Sequence, residues 1–163
     1  MNLFERARER RQEGRRKRRE IARLVAEHLA QALTLDNETA KRLAEEHIGK
    51  PGFFQATRRI HDPDTEVPET ACPLFEDYTQ VCWPERGLCI GVDFLSVRYR
   101  DDPAYQIIGD DFDVCTILCD RQGAIYEVSG MENCPPNESK EQWPTIYHFL
   151  MQLVYDSMID IEL

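Results

Sequence analysis

The chain has 163 residues, 42% of them hydrophobic and 31% charged, and a formal net charge of −10; this is the composition of a soluble protein able to bury a core without disulfide or metal staples. No apolar run approaches the roughly 20 residues that cross a bilayer, which argues against a membrane-spanning helix and a membrane partner. The opening MNLFERARERRQ lacks the apolar core of a signal peptide, so the expected location is cytoplasmic.

Charge is split along the chain. Residues 1–23 hold ten Arg or Lys against four Glu, a net +6, which leaves −16 of the total −10 on residues 24–163. This segment opens a predicted helix over 1–33, with Gly14 its weak point. Ile21, Leu24, Val25, His28, Leu29, Ala32 and Leu33 recur at helical spacing, so the second half should dock while the Arg-rich half projects. Residues 1–35 therefore form a basic arm and 36–163 an α+β domain.

Asp36 or Asn37 caps a second helix, with Ala40, Leu43, Ala44 and Ile48 as its buried stripe and Gly49 at its end. Phe53 to Ile60 reads as a further short helical segment. From His61 to Pro84 four prolines predict an irregular chain that packs through Leu74, Phe75, Tyr78, Val81 and Trp83. Leu88 to Tyr99 alternates as one long strand. The runs 105–108, 113–119 and 124–129 follow as strands, the last two joined by a turn at Asp120-Arg121-Gln122-Gly123. Together these predict an antiparallel sheet of about four strands, covered by helices, with the basic N-terminal helix protruding. Residues 130–140 read as a loop. A last helix is expected from a Ser139/Gln142 capping box, with Pro144 in its first turn, Ile146, Phe149, Leu150, Leu153 and Val154 inward, and an end near Ser157.

The six cysteines form no C-x-x-C pair, and the four histidines are not interleaved with them at zinc spacing, so reduced core thiols are the expectation and no cofactor or metal is implied. Cys115 and His148 are the one pairing that nucleophilic chemistry would use, and no spacing raises it above chance. Asp101, Asp102, Asp110, Asp111 and Asp113 flank turns, where Asp is ordinary; the other readings of the group are an acidic surface for a partner and a carboxylate pair or hard-cation site, for which no EF-hand spacing exists. Arg11, Arg15, Arg16, Lys17, Arg18 and Arg19 are the candidate nucleic-acid contacts, although the interleaved Glu and the acidic body both disfavour phosphate.

The pieces Ile108-Gly109-Asp110, Ile117 to Asp120, Gly123, Ile125-Tyr126 and Phe149-Leu150 are similar to the pattern of the SUKH superfamily, which joins bacterial toxin-immunity proteins to a fungal regulator of cell-wall synthesis. The likeness covers about Tyr105 to Leu153. The Leu-Pro near the first helix and the Asn-Gly-Gly after the second are absent, and the Arg-rich arm is not a mark of that group. The resemblance implies a non-enzymatic immunity protein that neutralises a basic toxin domain, with Tyr99 and Tyr105 beside the acidic residues as its binding surface. The alternative is a nucleic-acid-associated or regulatory protein acting through the arm. Oligomeric state is left open.

Overall fold

The computed structural model describes residues 2–60, 68–100, 102–111, 115–129 and 142–158. The first helix, α1 (Leu3–Leu33), starts at a capping box: the Asn2 side chain accepts from the Glu5 amide and the Glu5 carboxylate accepts from the Asn2 amide, each at 2.9 Å. Gly14 lies inside it, where a Cβ would meet nothing within 4 Å. Helix α2 (Asn37–His47) is capped by Asp36, whose side chain accepts from the Thr39 amide at 2.8 Å. Its Ala40 and Ala44 are fully buried, and Gly49, at φ 84°, turns the chain just beyond it.

The sheet has seven antiparallel strands in sequential order: β1 (Gln55–Arg58), β2 (Tyr78–Trp83), β3 (Leu88–Gly91), β4 (Tyr105–Asp111), β5 (Cys115–Asp120), β6 (Ile125–Ser129) and β7 (Gln142–Trp143). The meander is as expected, but it is wider than four strands. Residues 55–58, expected to be helical, instead lie at the sheet edge paired with β2, because Pro51 and Gly52 turn the chain back from α2. The segment read as irregular holds a short helix, α3 (Leu74–Asp77), and the whole of β2. Two of its prolines mark the ends of these elements: Pro73 precedes α3 and Pro84 opens the 3-10 turn after β2. Only the 61–67 part of that segment lies outside the described residues.

The long strand expected from Leu88 to Tyr99 stops at Gly91 and becomes a 3-10 turn over Val92–Ser96. That turn sends Phe94 to the far side of the sheet, where apolar side chains receive it. Strand β4 runs on through Asp110 and Asp111, with a bulge between Ile107 and Gly109. The turn after β5 forms as expected: Gly123 has φ 87°, and the Asp120 carboxylate accepts from the amides of Gln122 and Ala124, each at 2.9 Å.

The last helix, α4 (Ile146–Ser157), is not capped by the Ser139/Gln142 pair. Thr145 is its cap, Gln142 sits in β7, and Pro144 precedes the helix; Ser139 and the 130–140 loop lie outside the described residues. The end at Ser157 is as expected.

Helices α1, α2 and α4 cover one face of the sheet. Their core joins Phe54, Phe75, Trp83, Ile90, Ile108, Ile117, Trp143, Phe149 and Leu150, each at 5% exposure or less. Fully burying one such side chain is worth about 1.5–3 kcal/mol. Rings interlock at the edges: Phe54 meets Trp83 at 5.0 Å between centroids and Trp143 meets Phe149 at 4.8 Å. The α1–α4 contact is fastened by His28, whose Nδ1 lies 3.2 Å from Oδ1 of Asp156.

Candidate functional site

Strand alternation sends a second set of side chains to the face away from the helices. Tyr99, Ile107, Leu118 and Val128 form a small buried cluster there, with Phe94, Tyr105 and Tyr126 packed on it. Three of these rings make an edge-to-face chain: Tyr99 to Tyr105 at 6.3 Å and 79°, and Tyr105 to Tyr126 at 5.6 Å and 88°. The Tyr126 hydroxyl donates to Asp120 at 3.1 Å, and burial first, then the Asp120 carboxylate, push its pKa up to about 12. An open cleft of about 870 Å³ lies over this end of the sheet, with Tyr99 and Tyr105 at its wall, Asp102 and Asp120 as carboxylates, and Arg98 and Arg121 as cations. One side is the segment before α3, held by Gln106, which donates from Nε2 to the Glu69 carbonyl at 3.1 Å.

The expected acidic surface is only partly assembled. Tyr99, Tyr105 and Asp102 do come together at the cleft. Tyr99 is 4% exposed, so it supports the cleft and is not a free surface residue. Asp102 accepts from the Ala104 amide at 3.0 Å, which builds the turn into β4. Asp110 lies near the other end of β4, roughly 16 Å from Tyr105 along the strand. It pairs with Cys89 and Thr116, on the same open face but outside the cleft. Asp111 points to the helix side and is buried, because the bulge reverses the alternation of β4 before it. Asp101 and Asp113 lie outside the described residues. Arg98, Asp120 and Arg121 at the cleft were not singled out as site residues; their only sequence signal is that they flank turns beside β4 and β5, which many surface residues share.

Asp111 is an electrostatic cost. Among the described residues its Oδ1 meets no hydrogen-bond partner, nor does Nε of Arg86, whose Nη2 lies 4.0 Å from the Asp111 Oδ2. Burial raises the Asp111 pKa above its ordinary value, and Arg86 only partly opposes this. Asp156 is raised as well, by burial first, against the His28 bond and Arg86. A carboxyl raised on folding adds stability below its unfolded pKa and loses it as pH climbs through the folded value. Asp111→Asn should therefore raise the melting temperature at neutral pH, with the gain vanishing below the ordinary carboxylate range. A lower melting temperature at neutral pH would mean that the Arg86 pair outweighs the burial cost.

On the arm, residues 2–16 are exposed, and packing begins at Ile21. Arg11, Arg15 and Arg18 share one helical stripe at i, i+4 and i+7. Arg16 and Lys17 lie 3.9 and 3.8 Å from Glu13, and Arg19 is exposed on the neighbouring face. The arm's other ion pairs join Arg23 to Glu20 and Glu27.

The ring nitrogens of His148 are taken by groups other than Cys115. His148 is 1% exposed; its Nε2 lies 2.9 Å from the Leu35 carbonyl and its Nδ1 2.7 Å from the Thr145 hydroxyl. A carbonyl only accepts, so Nε2 carries the proton and Nδ1 accepts from Thr145. Nε2 thus joins α4 to the α1–α2 loop, and Nδ1 is taken by the cap of α4 itself. Among the described residues no group of three or more His, Cys, Asp or Glu is placed to hold a metal ion, and no helix is long and apolar enough to cross a membrane.

No family model matches the chain, and comparison with the curated proteins and with the solved structures found no match.

Proposed function

We propose that this chain is a non-enzymatic protein-binding module of immunity type, which neutralises a basic toxin domain by seating it over the tyrosine-lined cleft. The observation that carries the reading is the Tyr99–Tyr105–Tyr126 chain on the sheet face that, among the described residues, no long helix covers. Tyr supplies large contact area at small entropic cost, Tyr and Arg are both enriched in binding hot spots, and both types line this cleft. The cleft's own rim is mixed in charge, so attraction of a basic partner would come from the −16 carried by residues 24–163. The sequence likeness to the SUKH superfamily supplies the immunity class.

A second reading has its own support. The exposed first half of α1 presents Arg11, Arg15 and Arg18 on one stripe, which suits a phosphate backbone.

One experiment separates them: affinity capture from native lysate, with and without nuclease, using the parent chain, Tyr105→Arg, and a variant with residues 15–19 changed to Ala. The binding-module reading expects a stoichiometric protein that survives nuclease, is lost by at least about tenfold with Tyr105→Arg, and keeps its recovery with the arm variant. Co-expression should then relieve growth arrest caused by that protein, and unrelieved arrest would sink the immunity role. Recovery that collapses with nuclease and with the arm variant would move the function to α1.

A further inference from the structure

The β2–β3 hairpin places two thiols together on the face away from the helices. Val81, Trp83, Leu88 and Ile90 point into the helix-side core, so alternation sends Cys82 and Cys89 to the other face. The two are direct cross-strand partners, and their Sγ atoms are 2.7 Å apart. A disulfide needs about 2.05 Å, so the sulfurs have less than about 1 Å left to close. Gln80 donates from Nε2 to Cys89 Sγ at 3.4 Å, which holds that side chain in place. Both cysteines are half-buried and open to small solutes.

We propose that Cys82 and Cys89 are a redox modification site, a cross-strand dithiol that a low-molecular-weight disulfide such as oxidised glutathione converts reversibly to an internal disulfide. The site is independent of the binding function above. Cys89, as thiolate, attacks one glutathione sulfur; the glutathione S–S bond breaks, and one glutathione leaves as thiolate and takes up a proton. Cys82 then gives its proton to solvent and attacks the Cys89 sulfur. The mixed disulfide breaks and the second glutathione leaves. Two protein thiols are oxidised and one glutathione disulfide is reduced to two thiols. Burial, the bond with Cys89 and the nearby Asp110 push the Cys82 thiol up to about 12, which suits it to the resolving position and not the entry position.

The fold contains an internal control. Cys72 and Cys119 also pair, but they are 1% and 2% exposed, and their contact, followed by burial, raises the Cys72 thiol. An oxidant in solution reaches Cys82 and Cys89 before Cys72 and Cys119.

The test incubates the reduced full chain with oxidised glutathione and follows it by intact mass, differential alkylation and fragmentation. The expected product has lost two hydrogen atoms, carries a Cys82–Cys89 link and returns to the starting mass with dithiothreitol. Cys82→Ser should instead accumulate a glutathione adduct on Cys89, at least about tenfold above the parent's level. Phenylarsine oxide, which bridges two adjacent thiols, is a second probe that needs no oxidation; it should bind the parent and lose that binding in Cys82→Ser and in Cys89→Ser. A parent that accumulates the same adduct as Cys82→Ser, or a link mapped to other cysteines, overturns the proposal.

Discussion

Gly109→Ala is expected to unfold the protein or to destabilise it by roughly 3 kcal/mol or more. A Cβ at position 109 would lie 2.3 Å from the Cys89 carbonyl oxygen, 3.0 Å from the Ile90 Cα and 3.1 Å from the Cys89 carbonyl carbon. All three are backbone atoms of β3, so no side-chain rotation relieves the overlap. The glycine sits just past the β4 bulge, paired with Ile90 on one side and Ile117 on the other. Relief requires parting β3 from β4, which breaks the ladder in the middle of the sheet and opens the core around Ile90, Ile108 and Ile117. Denaturant unfolding monitored by tryptophan fluorescence would measure the loss. A midpoint unchanged within error would mean that β3 can shift without cost, and that the close approach is not what demands glycine here.

The second large effect is at His148. Its removal to alanine leaves a void in the core and strips the Leu35 carbonyl of its donor and the Thr145 hydroxyl of its acceptor, while that hydroxyl keeps its bond from the residue 148 amide. The expected cost is about 2–4 kcal/mol, from cavity and unpaired polar atoms together. Glutamine can still donate an amide hydrogen toward Leu35, so His148→Gln should cost clearly less than His148→Ala. Chemical denaturation of both variants provides the check. Equal losses would show that volume alone is at stake and that the bond to Leu35 contributes nothing. The pair also bears on chemistry: a nucleophile's base at this position would lose activity equally in both variants, whatever their stability.

Local signals were sufficient for the parts of the fold that local physics governs. Helical spacing along 21–33 placed the docked half of α1, and Asp36 and Gly49 bounded α2, because capping and left-handed turns act within a few residues. Gly123 marked the β5–β6 turn for the same reason. Where a strand gained its identity from its neighbour, the reading failed. Residues 55–58 and 78–83 have ambiguous patterns and become β1 and β2 by pairing with each other. Residues 92–96 alternate like a strand, yet Phe94 is worth more packed over Ile107, Leu118 and Val128 than extended beside β4.

The candidate site followed the same division. Tyr99, Asp102 and Tyr105 are close in the chain, and their meeting at one cleft needed only a tight turn. Asp111 looked no different from Asp110, since only the bulge at Ile107–Gly109 decides which carboxylate faces the helices. Cys82 and Cys89 show no metal or redox spacing; their contact exists because a hairpin register sets them opposite each other. Composition and interactions short in the chain were enough for the basic arm on an acidic body, the α+β class, the meander and the ends of α2, though not for the start of α4. The tertiary structure alone decided the strand number, the burial of Asp111, the role of His148 and the joining of the two thiols, since each depends on register and packing between residues that no local pattern relates.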